Sequence, residues 1–219
     1  MPLTAPERIL FDDGARALEL RRARPADAPA LVEAILDSLD ALRAFMPWSH
    51  DAENNTVAAQ TARLEGVAAA WDAGREFIWH LYRRDGGGWR LSGSIGLHPR
   101  CLNPRGLEIG YWVRSEAAGR GLCTLATRMI VLAGFEAMGL ERVQVGCDRA
   151  NAGSLRVIEK VGFTFEGLLR GALALPGPAL RAGGALGTGD MRMYGFKRGD
   201  WEGLPWVDAL RAGVSWPAR

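Results

Sequence analysis

Between Leu107 and Phe135 the chain reads LEIGYWVRSEAAGRGLCTLATRMIVLAGF, and residues of these types at this spacing can hold an anion. An alternating apolar run, Leu107, Ile109, Tyr111 and Val113, predicts a strand. The small-residue turn Ala117-Ala118-Gly119-Arg120-Gly121 follows, and then Leu122, Leu125, Ala126, Met129 and Ala133 recur at helical spacing. Strand, glycine turn and helix together bring unpaired backbone N–H groups to a positive helix end, which is a phosphate-binding arrangement. Gly119 and Gly121 do not make a dinucleotide fingerprint, because position 124 is Thr and no early βαβ unit surrounds it. No Gly-Lys-Ser/Thr follows, so a P-loop is excluded. Cys123 at the helix start is a candidate low-pKa thiol, but no histidine lies near it in sequence.

A second group of residues lies about thirty positions downstream: Asn151-Ala152-Gly153-Ser154, then Glu159-Lys160-Val161-Gly162-Phe163, then Glu166-Gly167. With Glu108-Ile109-Gly110-Tyr111-Trp112 and Gly119-Arg120-Gly121-Leu122-Cys123-Thr124, these motifs resemble in order those of the GNAT acetyltransferase superfamily, especially its RimJ/RimL group. The resemblance spans roughly Leu18 to Phe196 and is strongest from Gly93 to Gly167. Two positions depart from it: Ala118 where Gln or Arg is common, and Cys123 where Ala or Gly is common. Both leave the backbone donors in place.

The resemblance implies an α/β acyl-CoA N-acyltransferase fold, with a mixed central sheet, a splayed parallel strand pair and helices on both faces. It implies acetyl-CoA as co-substrate and no metal. The backbone of Trp112, Val113 and Arg114 would pair with the pantetheine. The N–H groups of Gly119, Arg120, Gly121, Leu122, Cys123 and Thr124 would hold the pyrophosphate. Asn151 would sit near the thiol end. Arg156 would reach the nucleotide phosphates, the alternative being a solvated surface arginine.

The implied reaction is direct attack of an amine on the thioester in a ternary complex, which needs a neutral amine, a stabilised oxyanion and a proton for the thiolate. Glu108 is the candidate base, acting through water; its alternative is a strand carboxylate in an ion pair. Ser154 is the candidate donor to the thiolate; its alternative is a helix-surface hydroxyl bonding back to the chain. Ile158 stands where many members carry a tyrosine acid, which favours the serine route. Met46 and Trp48, in Phe45-Met46-Pro47-Trp48, would wall the acceptor side or simply pack the core. Deprotonating a lysine at neutral pH costs roughly 3 kcal/mol more than deprotonating an α-amine. That favours an α-amine, and the RimJ/RimL resemblance implies a protein N-terminus, of the ribosomal-protein kind, as the expected acceptor. A small amine or antibiotic is the close alternative, and a non-catalytic acyl-CoA-binding regulator is the rival from another class.

The elements that must position these residues are legible in outline. Strands are predicted at Ala17–Arg22, Phe77–Arg84, Trp89–His98, Leu107–Val113, Arg142–Cys147, Phe163–Arg170 and Asp190–Phe196, and Asp85-Gly86-Gly87-Gly88 marks a hairpin. Helices are predicted at Pro25–Asp37, Asn54–Ala73, from Leu122, and at Asn151–Val161. Residues 173–189, rich in Gly, Pro and Ala, read as a long insertion loop, and 198–219 as a tail on a single domain with its core at about 17–197. The 219 residues, 48% hydrophobic and 24% charged with net charge +2, fit one globular domain and argue against nucleic acid as the main partner. The eight tryptophans lack the basic interleaving of a nucleic-acid platform. Three widely spaced cysteines make no disulfide framework or zinc spacing. His50, His80 and His98 share no metal spacing and are expected at the surface or hydrogen-bonded. No secretory signal or membrane span is read, so the expectation is a cytoplasmic monomer or homodimer.

Overall fold

A computed structural model describes residues 2–216. The chain opens with a hairpin of β1 (Arg8–Asp12) and β2 (Ala17–Arg22), paired from Arg8 opposite Arg21 to Asp12 opposite Ala17. Its turn is built by Asp12 and Asp13, whose carboxylates accept from the amides of Gly14, Ala15 and Arg16. Three helices follow: α1 (Ala28–Leu36), α2 (Leu39–Arg43) and α3 (Val57–Asp72). Thr56 caps α3 by accepting from the Ala59 amide. Then come the strands β3 (Phe77–Asp85), β4 (Gly88–His98) and β5 (Gly106–Val113).

The second half alternates helix and strand: α4 (Leu122–Glu136), β6 (Arg142–Asp148), α5 (Ala152–Val161), β7 (Thr164–Leu169), α6 (Pro178–Ala182), β8 (Met191–Lys197), α7 (Val207–Gly213) and β9 (Val214–Ser215). The strands form one sheet in the order β7-β8-β6-β5-β4-β3-β2-β1-β9, parallel only at β5–β6. Ile9, Phe77, Trp79, Leu81 and Ile109 pack with α4 on one face. Ala23, Ile78 and Leu91 pack with α1 and α3 on the other. Residues Ala126 to Phe135 of α4 are almost all buried, as an all-apolar helix pressed between a sheet and other helices must be.

Three features differ from the sequence-based expectation. The sheet takes in β1, which precedes residue 17, and β9, which closes on Leu10 and Phe11 from beyond residue 197. Residues 217–219 of the expected tail lie outside the described residues. The 173–189 insertion is not a bare hairpin loop: it contains α6 and is tied down at both ends. The Leu186 amide donates to the Ala44 carbonyl at 2.8 Å, bracing the segment after α2. Asp148 accepts from the Thr188 amide (2.6 Å), the Thr188 hydroxyl (2.9 Å), the Gly189 amide (3.2 Å) and the Ala150 amide (2.9 Å).

Burial alone would raise the Asp148 carboxyl, but these donors outweigh it and hold it below its ordinary value of 3.8. A depressed carboxyl adds stability above that ordinary value and loses it as pH falls through the lower folded one. Asp148→Asn should therefore lower stability by about 1–3 kcal/mol at neutral pH and flatten the acid limb of the stability profile. Proteolysis within 173–189 should quicken. Equal cleavage rates in the two proteins would show that Asp148 does not anchor the insertion.

Candidate active site

β5 and β6 pair only from Gly106 opposite Arg142 to Ile109 opposite Val145. Beyond that point β5 stays on β4 as far as Val113, and β6 stays on β8 as far as Asp148. The two strands therefore part into a wedge whose outer edges are held by the sheet. In an antiparallel ladder, successive residues turn their backbone groups to alternate sides. The Arg114 amide donates to the Ser92 carbonyl at 2.8 Å, which sets the phase. Trp112 and Arg114 face β4, while Tyr111 and Val113 turn their amides and carbonyls into the wedge. Of the three backbones expected there, only Val113 faces it, and Tyr111 is the residue that sequence reasoning missed. Arg114 instead buries its side chain and bridges Glu33 of α1 (2.7 Å) and Asp37, the C-cap of that helix.

The glycine turn lies just past the mouth of the wedge. Gly119 and Gly121 have φ of +75° and +78°, in the left-handed region, and a Cβ on either would meet nothing within 4 Å. Glycine is thus required there by backbone conformation, not by crowding. Gly121 ends the turn as the N-cap of α4, and no side chain caps the helix. The first amides of α4, at Leu122, Cys123 and Thr124, are left pointing out of the helix end. Arg120 is exposed in the turn and Arg156 on α5, neither with an ion pair among the described residues. Burial pushes the Cys123 thiol up to about 12, so it is no nucleophile at neutral pH.

On the α4–α5 side of the wedge, the Ser154 hydroxyl lies 2.9 Å from the Tyr111 hydroxyl. Burial raises the Tyr111 phenol, outweighing its bond to Ser154. The pair is therefore two neutral hydroxyls, each able to pass a proton to the other. Asn151 caps α5 by accepting from the Ser154 amide at 3.0 Å, which fixes Ser154 in the first turn. Ser154 thus faces into the fold rather than out from its helix.

On the opposite face, over β4 and β5, lies a cavity of about 610 Å³. Met46 and Trp48 line it, with Trp112, whose ring centroid is 6.4 Å from that of Trp48. Gly96 and Gly110 form part of its floor, and His98 borders it. Glu108 does not line it. Its Oε2 accepts from Gln144 Nε2 at 3.0 Å, and Oε1 lies 3.6 Å from Arg100 Nη1. The expected base is thus turned toward β6 and occupied. Nor are the other histidines at the surface: His80 is wholly buried with both ring nitrogens unbonded, and burial lowers it to about 4. His50 Nε2 donates to the Arg43 carbonyl, 2.9 Å away. Among the described residues no helix is long and apolar enough to cross a membrane.

A wedge carrying unpaired strand backbone, an uncapped helix end beside it and a cavity on the far face can bring a long phosphate-bearing donor and a second substrate together from opposite sides. Comparison with known proteins agrees with this geometry. Residues 17–164 match the family model described as an acetyltransferase (GNAT) domain. YdaF of Bacillus subtilis (strain 168), provisionally named a ribosomal N-acetyltransferase, is 30% identical over 195 residues, covering 85% of this chain and 94% of its own. The structure of Mycobacterium smegmatis RimJ in complex with CoA-disulfide superposes with a TM-score of 0.76 at 24% identity, over 99% of this chain and 100% of that one. A RimL ribosomal L7/L12 alpha-N-protein acetyltransferase in complex with coenzyme A gives a TM-score of 0.72 at 19% identity, over 86% and 97%.

Proposed function

The chain belongs to the GNAT acetyltransferase family and is an N-acetyltransferase; from that premise we propose that its acceptor is the α-amine of a protein N-terminus, of the ribosomal-protein kind. The observation that carries the reading is the wedge that opens onto the 610 Å³ cavity, so that a donor thioester and an amine can meet through the sheet. Support for the protein acceptor comes from YdaF and from the RimL enzyme, whose names carry ribosomal-protein acetyl transfer. The lower pKa of an α-amine points the same way, since roughly 3 kcal/mol less is needed to present it neutral than a lysine.

Acetyl-CoA fits the donor side residue by residue. Tyr111 and Val113 offer strand-like pairing to the pantetheine amides. The amides of Gly119 to Thr124 and the unpaired Arg120 receive the pyrophosphate, and Arg156 stands free for a further phosphate. Ser154, backed by Tyr111, is placed to protonate the departing thiolate. Asn151 serves by fixing Ser154. Met46, Trp48 and Trp112 shape the acceptor side, and the insertion braces that wall through Leu186 and Ala44.

Thiol release from acetyl-CoA, followed over a panel of acceptors, tests the reading. Peptides with a free N-terminus should turn over, whereas the same peptides blocked at the α-amine but carrying an internal lysine should not. Release only with polyamines or aminoglycosides would move the assignment to a small-amine acetyltransferase. Tight coenzyme A binding with no turnover on any amine would make the protein a regulator.

A further inference from the structure

His98 closes β4, and the Nε2 edge of its ring lies against two glycines. A Cβ at Gly96 would come within 2.9 Å of Nε2, and one at Gly110 within 3.0 Å. Both positions therefore have to be glycine for the ring to lie where it does. Gly110 is also the first β5 residue past the last β5–β6 pair, Ile109 opposite Val145. The ring nitrogen thus stands over the point where the wedge opens, on the side facing the cavity.

Its other nitrogen is held from behind. Nδ1 lies 2.5 Å from Glu76 Oε1, in the segment just before β3. A carboxylate only accepts, so Nδ1 carries the hydrogen, and in the neutral ring Nε2 presents its lone pair. Nε2 has no hydrogen-bond partner among the described residues. The His98 side chain is 17% exposed, reachable from the cavity but shielded from bulk water. Glu108, directly opposite on β5, accepts from Gln144 and faces Arg100. Of the two groups, only His98 lines the cavity.

We propose that His98, oriented by Glu76, is the general base of the acetyl transfer. This rests on the N-acetyltransferase reading but not on the identity of the amine. As the amine nitrogen bonds to the thioester carbon, Nε2 takes its proton. The C–S bond breaks, and the thiolate leaves with its electron pair and is protonated from the Ser154–Tyr111 side. That pair regains a proton from solvent as the imidazolium releases its own, so the enzyme returns to its starting state. Glu76 is a positioning residue: it fixes the tautomer and stabilises the imidazolium.

The test uses the full chain, acetyl-CoA and whichever amine of the panel turns over best, peptide or small molecule. His98→Ala should lower kcat by about 100-fold or more, with the KM for acetyl-CoA changed less than about threefold. The ring leaves a hole above Gly96 and Gly110, so added imidazole should restore turnover at least about tenfold, a response that lost packing alone would not give. Glu76→Gln should lower kcat by about tenfold at unchanged KM and remain insensitive to imidazole. A His98→Ala kcat within about threefold of wild type would overturn the assignment, as would a loss that imidazole leaves untouched. Turnover of small amines only would sink the protein-acceptor reading while leaving this one standing. Failure to turn over any amine would end both.

Discussion

Gly121→Val should weaken coenzyme A binding by about 100-fold while lowering the melting temperature by only a few degrees. The reasoning starts from the backbone. Gly121 sits at φ +78°, where a residue with a Cβ is strained by about 1–2 kcal/mol and a β-branched one by more. Nothing lies within 4 Å of the added Cβ, so no collision adds to that strain in the protein. The chain can keep the conformation and absorb the strain, or rotate the peptide out of it. The turn is exposed and its helix end uncapped, so little opposes rotation. Rotation takes the Leu122 and Cys123 amides off the line on which a phosphate would receive them. Each hydrogen bond to a charged group is worth about 1.5–3 kcal/mol, so losing one gives about 10- to 150-fold. Gly121→Ala should fall between. Titration calorimetry with coenzyme A measures this directly, and a change under about threefold would mean that the turn holds no pyrophosphate.

The same turn shows how far a sequence carries and where it stops. Its glycines, the alternation before it and the helical spacing after it are local signals, and β5 and α4 form where those signals put them. The hairpin of β3 and β4 was equally legible, because Asp85 to Gly88 leaves few ways to turn. What a local signal does not contain is phase across a sheet. Which of Tyr111, Trp112 and Val113 turn their amides into the wedge is decided by one bond, Arg114 to Ser92, between strands whose register is set elsewhere. Alternation alone does not tell that Trp112 and Arg114 face β4. His98 and Glu76 are 22 residues apart and meet only because β3 and β4 pair with Phe77 opposite Leu97. A slip of one residue would turn His98 to the other face.

Glu108 illustrates a different limit. Its strand and its face follow from alternation, yet its carboxylate is claimed by Gln144 on β6, 36 residues away. Residue type and strand place a carboxylate near the acyl end; they do not say which way it turns. β1 was different, since Ile9-Leu10-Phe11 is a three-residue apolar run just ahead of the turn residues Asp13 and Gly14. That pattern is a hairpin signal, short enough to be read past. α6 and α7 are five and seven residues long, and helices of that length owe their existence to tertiary contacts rather than to periodicity.

Trp79→Ala should produce the largest loss of stability of any single substitution considered. Trp79 is fully buried on β3, edge-on to Trp71 at a centroid separation of 4.8 Å and near Phe77 at 6.3 Å. Truncating a buried aromatic of this kind costs about 3–5 kcal/mol. A second loss adds to it, because Trp79 Nε1 donates to the Pro6 carbonyl at 2.9 Å and holds the entry to β1 against the sheet. Loss of that part-buried hydrogen bond costs about 0.5–1.5 kcal/mol more. For a chain of this size each kcal/mol moves the melting temperature by about 2–4 °C, so a drop of roughly 10–20 °C is expected. Trp79→Phe keeps most of the packing but not the bond, and should lose no more than about 3 kcal/mol. The pair of variants separates the two contributions: equal losses would place the energy in the bond to Pro6 rather than in the aromatic cluster. Trp79 also bears on the site, since its carbonyl accepts from the Ser94 hydroxyl at the cavity wall, and the strand it anchors begins just after Glu76. Below its melting transition, the alanine variant should keep its kcat per folded molecule if the backbone of β3 holds. A fall in kcat at full folding would mean that this packing, and not only the Glu76 contact, sets the orientation of His98.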